Sequence, residues 1–277
     1  MTGKVVIVTG CSKGGIGFAL CEEFAAKGCK VYATARRLEA MEGFKDPNIS
    51  TLKLDVTSDE DVAEVVKTVL EREGSIDIVV NNAGGPCSGP LMETSLDQAQ
   101  KTFDTNVISV LRLSQAVFPH MATKRSGTIV NVGSVVGDTP SPWGGVYCAT
   151  KAALLRLSEI LYMEVAPFNI HVVHISPGGV KTNITVHALS QLSLREDSFY
   201  KPYFDSMVAV LNRVQGPGSL TAAQFAQQVV REVVKPNPPR YMTLGAGAWL
   251  NTVLQWFPRS FVCWLMWRFV AGKPKTA

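Results

Sequence analysis

Lys4-Val5-Val6-Ile7-Val8-Thr9-Gly10-Cys11-Ser12-Lys13-Gly14-Gly15-Ile16-Gly17 is the stretch on which the fold turns. Its first six residues are a mostly β-branched run, the pattern of a strand buried on both faces, and the run stops at a glycine. The Gly-rich loop leads into an amphipathic segment, Phe18 to Lys27, with Ala19, Phe24 and Ala25 among its apolar members and Gly28 as candidate stop. Lys30-Val31-Tyr32-Ala33-Thr34-Ala35 then reads as a second strand, ending in Arg36-Arg37. Strand, Gly-rich turn, helix and strand in this order make a βαβ unit.

Further out, the alternation continues. Thr51–Asp55 is strand-like, and Asp59–Glu71 is helical with Val62, Val65, Val66 and Val69 on one face. Ile76–Asn81 is an apolar strand run broken by Asn82-Ala83-Gly84-Gly85-Pro86, and a helical region covers about Leu96 to Met121. Thr128–Val132 and Ile170–Ile175 read as strands, Tyr147–Glu164 and Thr221–Val234 as helices, and Arg240–Leu244 as a last edge strand. This order predicts an α/β fold: a doubly wound, Rossmann-like parallel sheet with helices on both faces. The parse is one catalytic domain over residues 1–245 and a distinct apolar, aromatic-rich tail over 246–277.

Composition narrows the function. With 46% apolar and 18% charged residues, the 277-residue chain is far from disordered composition. A net charge of +4 without a basic run argues against nucleic acid. The six cysteines form no Cys-x-x-Cys pair or metal-ligand cluster, so no metal is expected and a reducing compartment is. The strand pattern begins by Val5, which leaves no room for a cleaved signal peptide and points to the cytoplasm.

Two features carry chemistry. Glycines in a strand-to-helix loop let main-chain N–H groups approach a pyrophosphate, and the helix dipole favours the anion. Gly10, Ser12, Gly15, Ile16 and Gly17 are therefore candidate dinucleotide binders, and Arg36 and Arg37, at the end of the second strand, fit a 2′-phosphate. The expected cofactor is NADP(H). The second feature is Tyr147-Cys148-Ala149-Thr150-Lys151, where a helical four-residue step puts phenol and ammonium on one face. The ammonium is expected to lower the Tyr147 pKa from its ordinary value of about 10, as suits a general acid or base. Ser134, just past a strand, can hold a substrate oxygen beside that phenol.

With these motifs in place, residues 4 to 245 resemble the short-chain dehydrogenase/reductase family. The resemblance implies that Asp55 contacts the adenine, that Asn82, Ala83 and Gly84 flank the cofactor, and that Pro177, Gly178, Val180 and Thr182 lie near the nicotinamide. It makes Ser134, Tyr147, Lys151 and Asn106 the catalytic set, with Asn106 holding a relay water and Tyr147 and Lys151 also touching the cofactor. It also implies a homo-oligomer paired through the long helices. The loop departs from the family's Gly-x-x-x-Gly-x-Gly by one extra residue, expected to bulge near Lys13-Gly14, where Lys13 either adds charge near the 2′-phosphate or is simply solvated. This loop and the Ala-Thr-Ala-Arg-Arg strand end are similar to fungal acyl-dihydroxyacetone-phosphate reductase-like members, and also to hydroxysteroid dehydrogenases.

Residues 183–219 stand where the family places its substrate lid, and Phe199, Tyr200, Tyr203, Phe204, Met207 and Leu211 suit an apolar ketone or lipid substrate. Trp143 is expected at the same pocket. Three readings of the tail stand open: a peripheral anchor at a membrane interface, a tunnel wall or oligomer contact, and a spanning or re-entrant hairpin. The first places the protein at an endoplasmic reticulum or lipid-droplet surface. Function is expected to be NADPH-dependent carbonyl reduction in lipid metabolism. The alternatives are a polyketide or steroid-like ketoreductase of secondary metabolism and a catalytically silent NADP-binding protein.

Overall fold

β1 (Val5–Thr9), β2 (Lys30–Ala35) and β3 (Ile49–Lys53) pair in parallel, and β1 also pairs in parallel with β4 (Ile78–Asn81). The computed structural model describes residues 3–213 and 215–271. On the far side of β4 lie β5 (Gly127–Val132), β6 (Ile170–Pro177) and the edge strand β9 (Tyr241–Leu244), again parallel. Among the described residues the sheet has seven strands in the order β3-β2-β1-β4-β5-β6-β9. The order reverses between β1 and β4, so a crevice opens at their carboxyl ends, where ligands of open α/β sheets bind.

The strands are apolar on both sides because helices cover both. On one face α1 (Ile16–Ala26) and α8 (Ala222–Val233) enclose Phe24, Phe225, Val229 and the inward side chains of Val6, Val8 and Val130. On the other, α2 (Asp59–Glu73), α4 (Ser109–Lys124) and α5 (Gly145–Val165) bury Val65, Val69, Leu113 and Val117 against Ile7, Val79 and Ile129. Helix starts follow capping chemistry: the Ser58 hydroxyl accepts from Asp61 N–H, and Thr221 forms a reciprocal capping box with Gln224.

Two features exceed the sequence reading. The helical region beginning with α3 (Leu96–Phe103) reaches α4 through a π turn at Asp104–Ile108, a local widening that often marks functional sites. The aperiodic 183–219 stretch contains α6 (Ile184–Gln191) and α7 (Phe204–Arg213), with β7 (Val180–Lys181) and β8 (Leu220–Thr221) paired at its base. Leu192, Met207 and Trp143 form a small core of their own there. The chain continues through α9 (Ala248–Leu254), α10 (Arg259–Met266) and a π turn at Trp267–Ala271. No helix among the described residues is long and apolar enough to cross a membrane.

Candidate active site

The β1–α1 loop brings the main chain as close as it can come. A Cβ on Gly10 would stand 2.8 Å from the Ala83 Cα, and one on Gly17 only 2.5 Å from Asn82 Nδ2. Gly14 takes a φ of +78°, and Gly15 becomes the N-cap of α1. That end has no side-chain cap and no acidic residue in its first turn, so its N–H groups stay open to an anion. A bare glycine cradle at an uncapped helix start fits a pyrophosphate. Lys13 is held by its main chain, donating to Ala40 O and accepting from Asn183 Nδ2, while its side chain lies over Gly43.

Asn82, expected beside the cofactor, also ties the glycine loop through its side chain. Its amide donates to Thr9 O at 2.8 Å and Gly10 O at 3.1 Å, which fixes the loop from behind. Thr9 Oγ1 accepts from both Asn82 and Ala83 N–H groups and thereby ties β1 to β4. From sequence Thr9 reads only as the start of the glycine loop, because its role is to hold main chain across strands distant in sequence.

Arg36 and Arg37 are exposed at the end of β2, and Arg37 lies 3.9 Å from Glu39. Asp55, after β3, holds its carboxyl below the usual range. Burial works against this, but the Thr57 N–H and hydroxyl, at 3.0 and 2.7 Å, together with Arg36 and Arg112, outweigh it. Arg36 and Asp55 thus share one edge of the crevice.

Across the crevice, α5 delivers Tyr147 and Lys151 to one face as the spacing requires, with the ammonium 5.6 Å from the centre of the phenol ring. The expected downward pull on the phenol is not found. Burial pushes the Tyr147 pKa up to about 12, with only a hydrogen bond to Ser134 working the other way. Burial also brings Lys151 down to about 8, and its ammonium donates to Val132 O at 2.9 Å. The spacing argument captured proximity but not desolvation, which here outweighs the pair's attraction.

Behind Lys151 the chain is tied by Asn106. Its Oδ1 accepts from Gly85 N–H at 2.8 Å, and its amide donates to Gly85 O and to Thr150 Oγ1, both at 3.0 Å. Thr150 in turn donates to the carbonyl of Tyr147. A Cβ on Gly84 would stand 3.2 Å from Asn106 Oδ1 and 3.7 Å from Lys151 Nζ, so these segments meet at one point. Both amide protons of Asn106 are spent on protein, so the expected relay water has only acceptor oxygens of Asn106 to hold it.

On the β6 side, Pro177 and Val180 are buried and Gly178 donates to Leu244 O, with no room for a Cβ beside Ala246 O. Thr182 O accepts from Gln215 Nε2, which ties this loop to the segment after α7. Four residues before Tyr147, the Trp143 ring lies 6.0 Å from Tyr200, 5.5 Å from Tyr203 and 5.8 Å from Trp267. Trp143 has a φ of +68°, and its indole N–H is buried without a partner. Strained backbone and orphaned donors are both uncommon, and the former clusters at ligand sites.

Sequence reasoning also missed a polar lane beneath the site. His174 Nδ1 lies 3.0 Å from Ser158 Oγ, which donates to Leu154 O and accepts from Asn131; Asn131 in turn accepts from Asn81. With the Ser158 proton committed to Leu154, His174 must donate through Nδ1. Burial and the Lys151 charge bring its pKa down to about 4.

An α/β sheet with a bare glycine crevice on one side and half-buried Ser134 and Tyr147 beside a buried Lys151 on the other defines a nucleotide-dependent oxidoreductase class. The short chain dehydrogenase family model matches residues 4–192, and the chain belongs to that family. It is 38% identical over 235 residues to an NADPH-dependent 1-acyldihydroxyacetone phosphate reductase of Schizosaccharomyces pombe, covering 83% of this chain and 78% of that one. A crystal structure of a short-chain dehydrogenase from Streptomyces avermitilis superposes with a TM-score of 0.81 at 33% identity, covering 98% of each chain. The closed form of a serine dehydrogenase complexed with NADP+ gives 0.74 at 28%, covering 86% of this chain and 93% of that one.

Proposed function

We propose that the chain is an NADPH-dependent reductase acting on the carbonyl of an apolar or lipid-like substrate, of the acyl-dihydroxyacetone-phosphate type. The cofactor is NADP(H), and when bound it supplies the hydride. Gly10, Ser12, Gly15, Ile16 and Gly17 hold its pyrophosphate, Arg36 and Arg37 its 2′-phosphate and Asp55 its adenine. Ala83, Gly84, Pro177, Gly178, Val180 and Thr182 line its nicotinamide side, with Asn82 shaping the loop. Tyr147 gives the phenolic proton to the carbonyl oxygen, and Ser134 orients that oxygen. Lys151 holds the ribose and passes a proton back, supported by Asn106.

The observation that carries this reading is Tyr147 on α5 with Lys151 Nζ 5.6 Å from its ring and Ser134 as the one group pulling the phenol pKa down against burial. A phenol raised to about 12 keeps its proton near neutral pH, which is the form that donates to a carbonyl oxygen. The aromatic surround of Trp143, Tyr200, Tyr203 and Trp267 supports an apolar substrate. In this reading residues 1–245 are the catalytic domain, 183–219 its lid, and 246–277 a segment in peripheral contact with lipid. The protein works as a homo-oligomer on the cytoplasmic side of the endoplasmic reticulum or a lipid droplet.

The test is NADPH oxidation against a panel of ketones, including acyl-dihydroxyacetone phosphate, steroids and aromatic polyketides, with Tyr147→Phe as control. The variant loses kcat by roughly 100- to 10,000-fold and keeps its NADPH affinity. Full activity in Tyr147→Phe removes the assignment. Turnover confined to steroids or polyketides shifts the substrate to those skeletons, and NADPH binding without any turnover makes the chain a silent binding protein.

A further inference from the structure

The formal excess of positive charge belongs entirely to the end of the chain. Residues 246–277 hold Arg259, Arg268, Lys273 and Lys275 and no acidic residue, while the other 245 residues balance at 23 basic and 23 acidic. The same segment turns its large side chains outward: Trp256 is 86% exposed, Trp249 71% and Phe269 63%. A contiguous run of exposed rings on a water-facing surface marks an interaction site. Indoles among cationic side chains suit the headgroup layer of a bilayer, and unbalanced positive charge selects an anionic one.

This surface is continuous with the site. Arg259 donates to Asp138 O at 2.8 Å, in the segment between Ser134 and Tyr147. Arg213, at the end of α7, donates to Phe269 O at 3.2 Å. Trp267 lies 5.8 Å from Trp143 and 5.9 Å from Tyr203. One short segment therefore shows aromatic rings to the outside, grips the lid, and packs Trp267 against the Trp143 ring four residues before Tyr147.

We propose that the tail docks on an anionic lipid surface and that docking opens the mouth bounded by Trp143, Tyr203 and Trp267, so that an apolar ketone passes from lipid to Tyr147 without crossing water. This rests on the apolar-substrate reading. Seating Trp256 and Trp264 in the interface pulls on Trp267 through α10, and Trp267 is the ring that touches Trp143.

The experiment uses the full chain with vesicles of phosphatidylcholine alone or mixed with phosphatidylserine. It reads sedimentation, and NADPH oxidation with two ketones, one short and water-soluble, one long-chain and dissolved in the vesicles. Anionic vesicles sediment the protein at least about tenfold better than neutral ones, and salt reverses this. They accelerate the long-chain ketone and leave the soluble one unchanged. Trp256→Asp with Trp264→Asp, both on exposed positions, abolishes sedimentation and the acceleration while keeping the soluble rate.

Turnover of the soluble ketone with no sedimentation on either vesicle overturns the docking and leaves the reductase reading standing. Sedimentation without acceleration overturns the coupling to the site. A dimer in solution that ignores vesicles, and that the double variant splits, assigns the face to a second copy and overturns the proposal. Sedimentation with neither ketone reduced supports the docking and removes the reductase reading instead.

Discussion

Burial drives Tyr147 and Lys151 the same way, each toward its neutral form, and the two lie together in a lane that also neutralises His174. The pairing itself was legible from a four-residue step on a helix. Its electrostatics were not, because desolvation depends on segments remote in sequence. His174 is the clearest case, since nothing local to Ile170–Pro177 announces a buried imidazole over Gly133, where a Cβ would stand 2.4 Å from its Nε2. Its pKa falls from 6.5 to about 4 on folding, so the unfolded chain takes up a proton that the folded one refuses. The stabilisation is complete above the unfolded value and is lost as pH drops from 6.5 through about 4. By linkage this one group removes about 2 kcal/mol between pH 7 and pH 5. In urea unfolding at both pH values, His174→Gln should show a stability loss smaller than the parent's by about that amount. Parallel losses in the two proteins would mean that His174 is not the group responsible.

At the level of elements, the β1–α1 unit, the parallel sheet and α5 were all legible, because each has a period and a stop that local chemistry enforces. The π turn at Asp104–Ile108 and the lid helices were not. The first is imposed by Asn106 reaching Gly85 and Thr150, and the second by packing around Trp143 and Met207, neither of which leaves a periodic trace. In the cofactor loop, Gly17 stands against Asn82 Nδ2 and Gly10 O, at 2.5 and 2.6 Å for an added Cβ. Gly17→Ala must push the β4 loop away from β1. An overpacking cost of about 1–3 kcal/mol follows, and the displaced Gly10 loop should weaken NADPH by roughly tenfold or more. Gly74→Ala is the matching control, since Gly74 caps α2 at a φ of +75° with open space around it. It should cost about 1 kcal/mol through backbone strain alone, with unchanged NADPH affinity. Isothermal titration and urea midpoints read both effects, and equal NADPH losses in the two variants would break the argument.

For the whole molecule, the sheet's reversal point lies between two half-sites joined by the β1–β4 pairing and by the Thr9 hydroxyl, which accepts from the Asn82 and Ala83 N–H groups. A dinucleotide laid across that reversal bridges the β2–β3 edge, the α1 start and α5, so binding stabilises the fold rather than one loop. At a free concentration of 100 times Kd the gain is about 2.7 kcal/mol, which for a chain of this size raises Tm by about 5 °C or more. The selectivity of that shift tests Arg36 and Arg37, exposed at the β2 end and proposed to hold the 2′-phosphate. Changing both to Asp replaces attraction by repulsion toward NADPH and supplies the acid that suits the NADH ribose. The parent should melt later with NADPH than with NADH, and the double variant should lose the NADPH shift while keeping or gaining the NADH one. If both cofactors shift the double variant as they shift the parent, the 2′-phosphate is held elsewhere, and Lys13 becomes the side chain to change next.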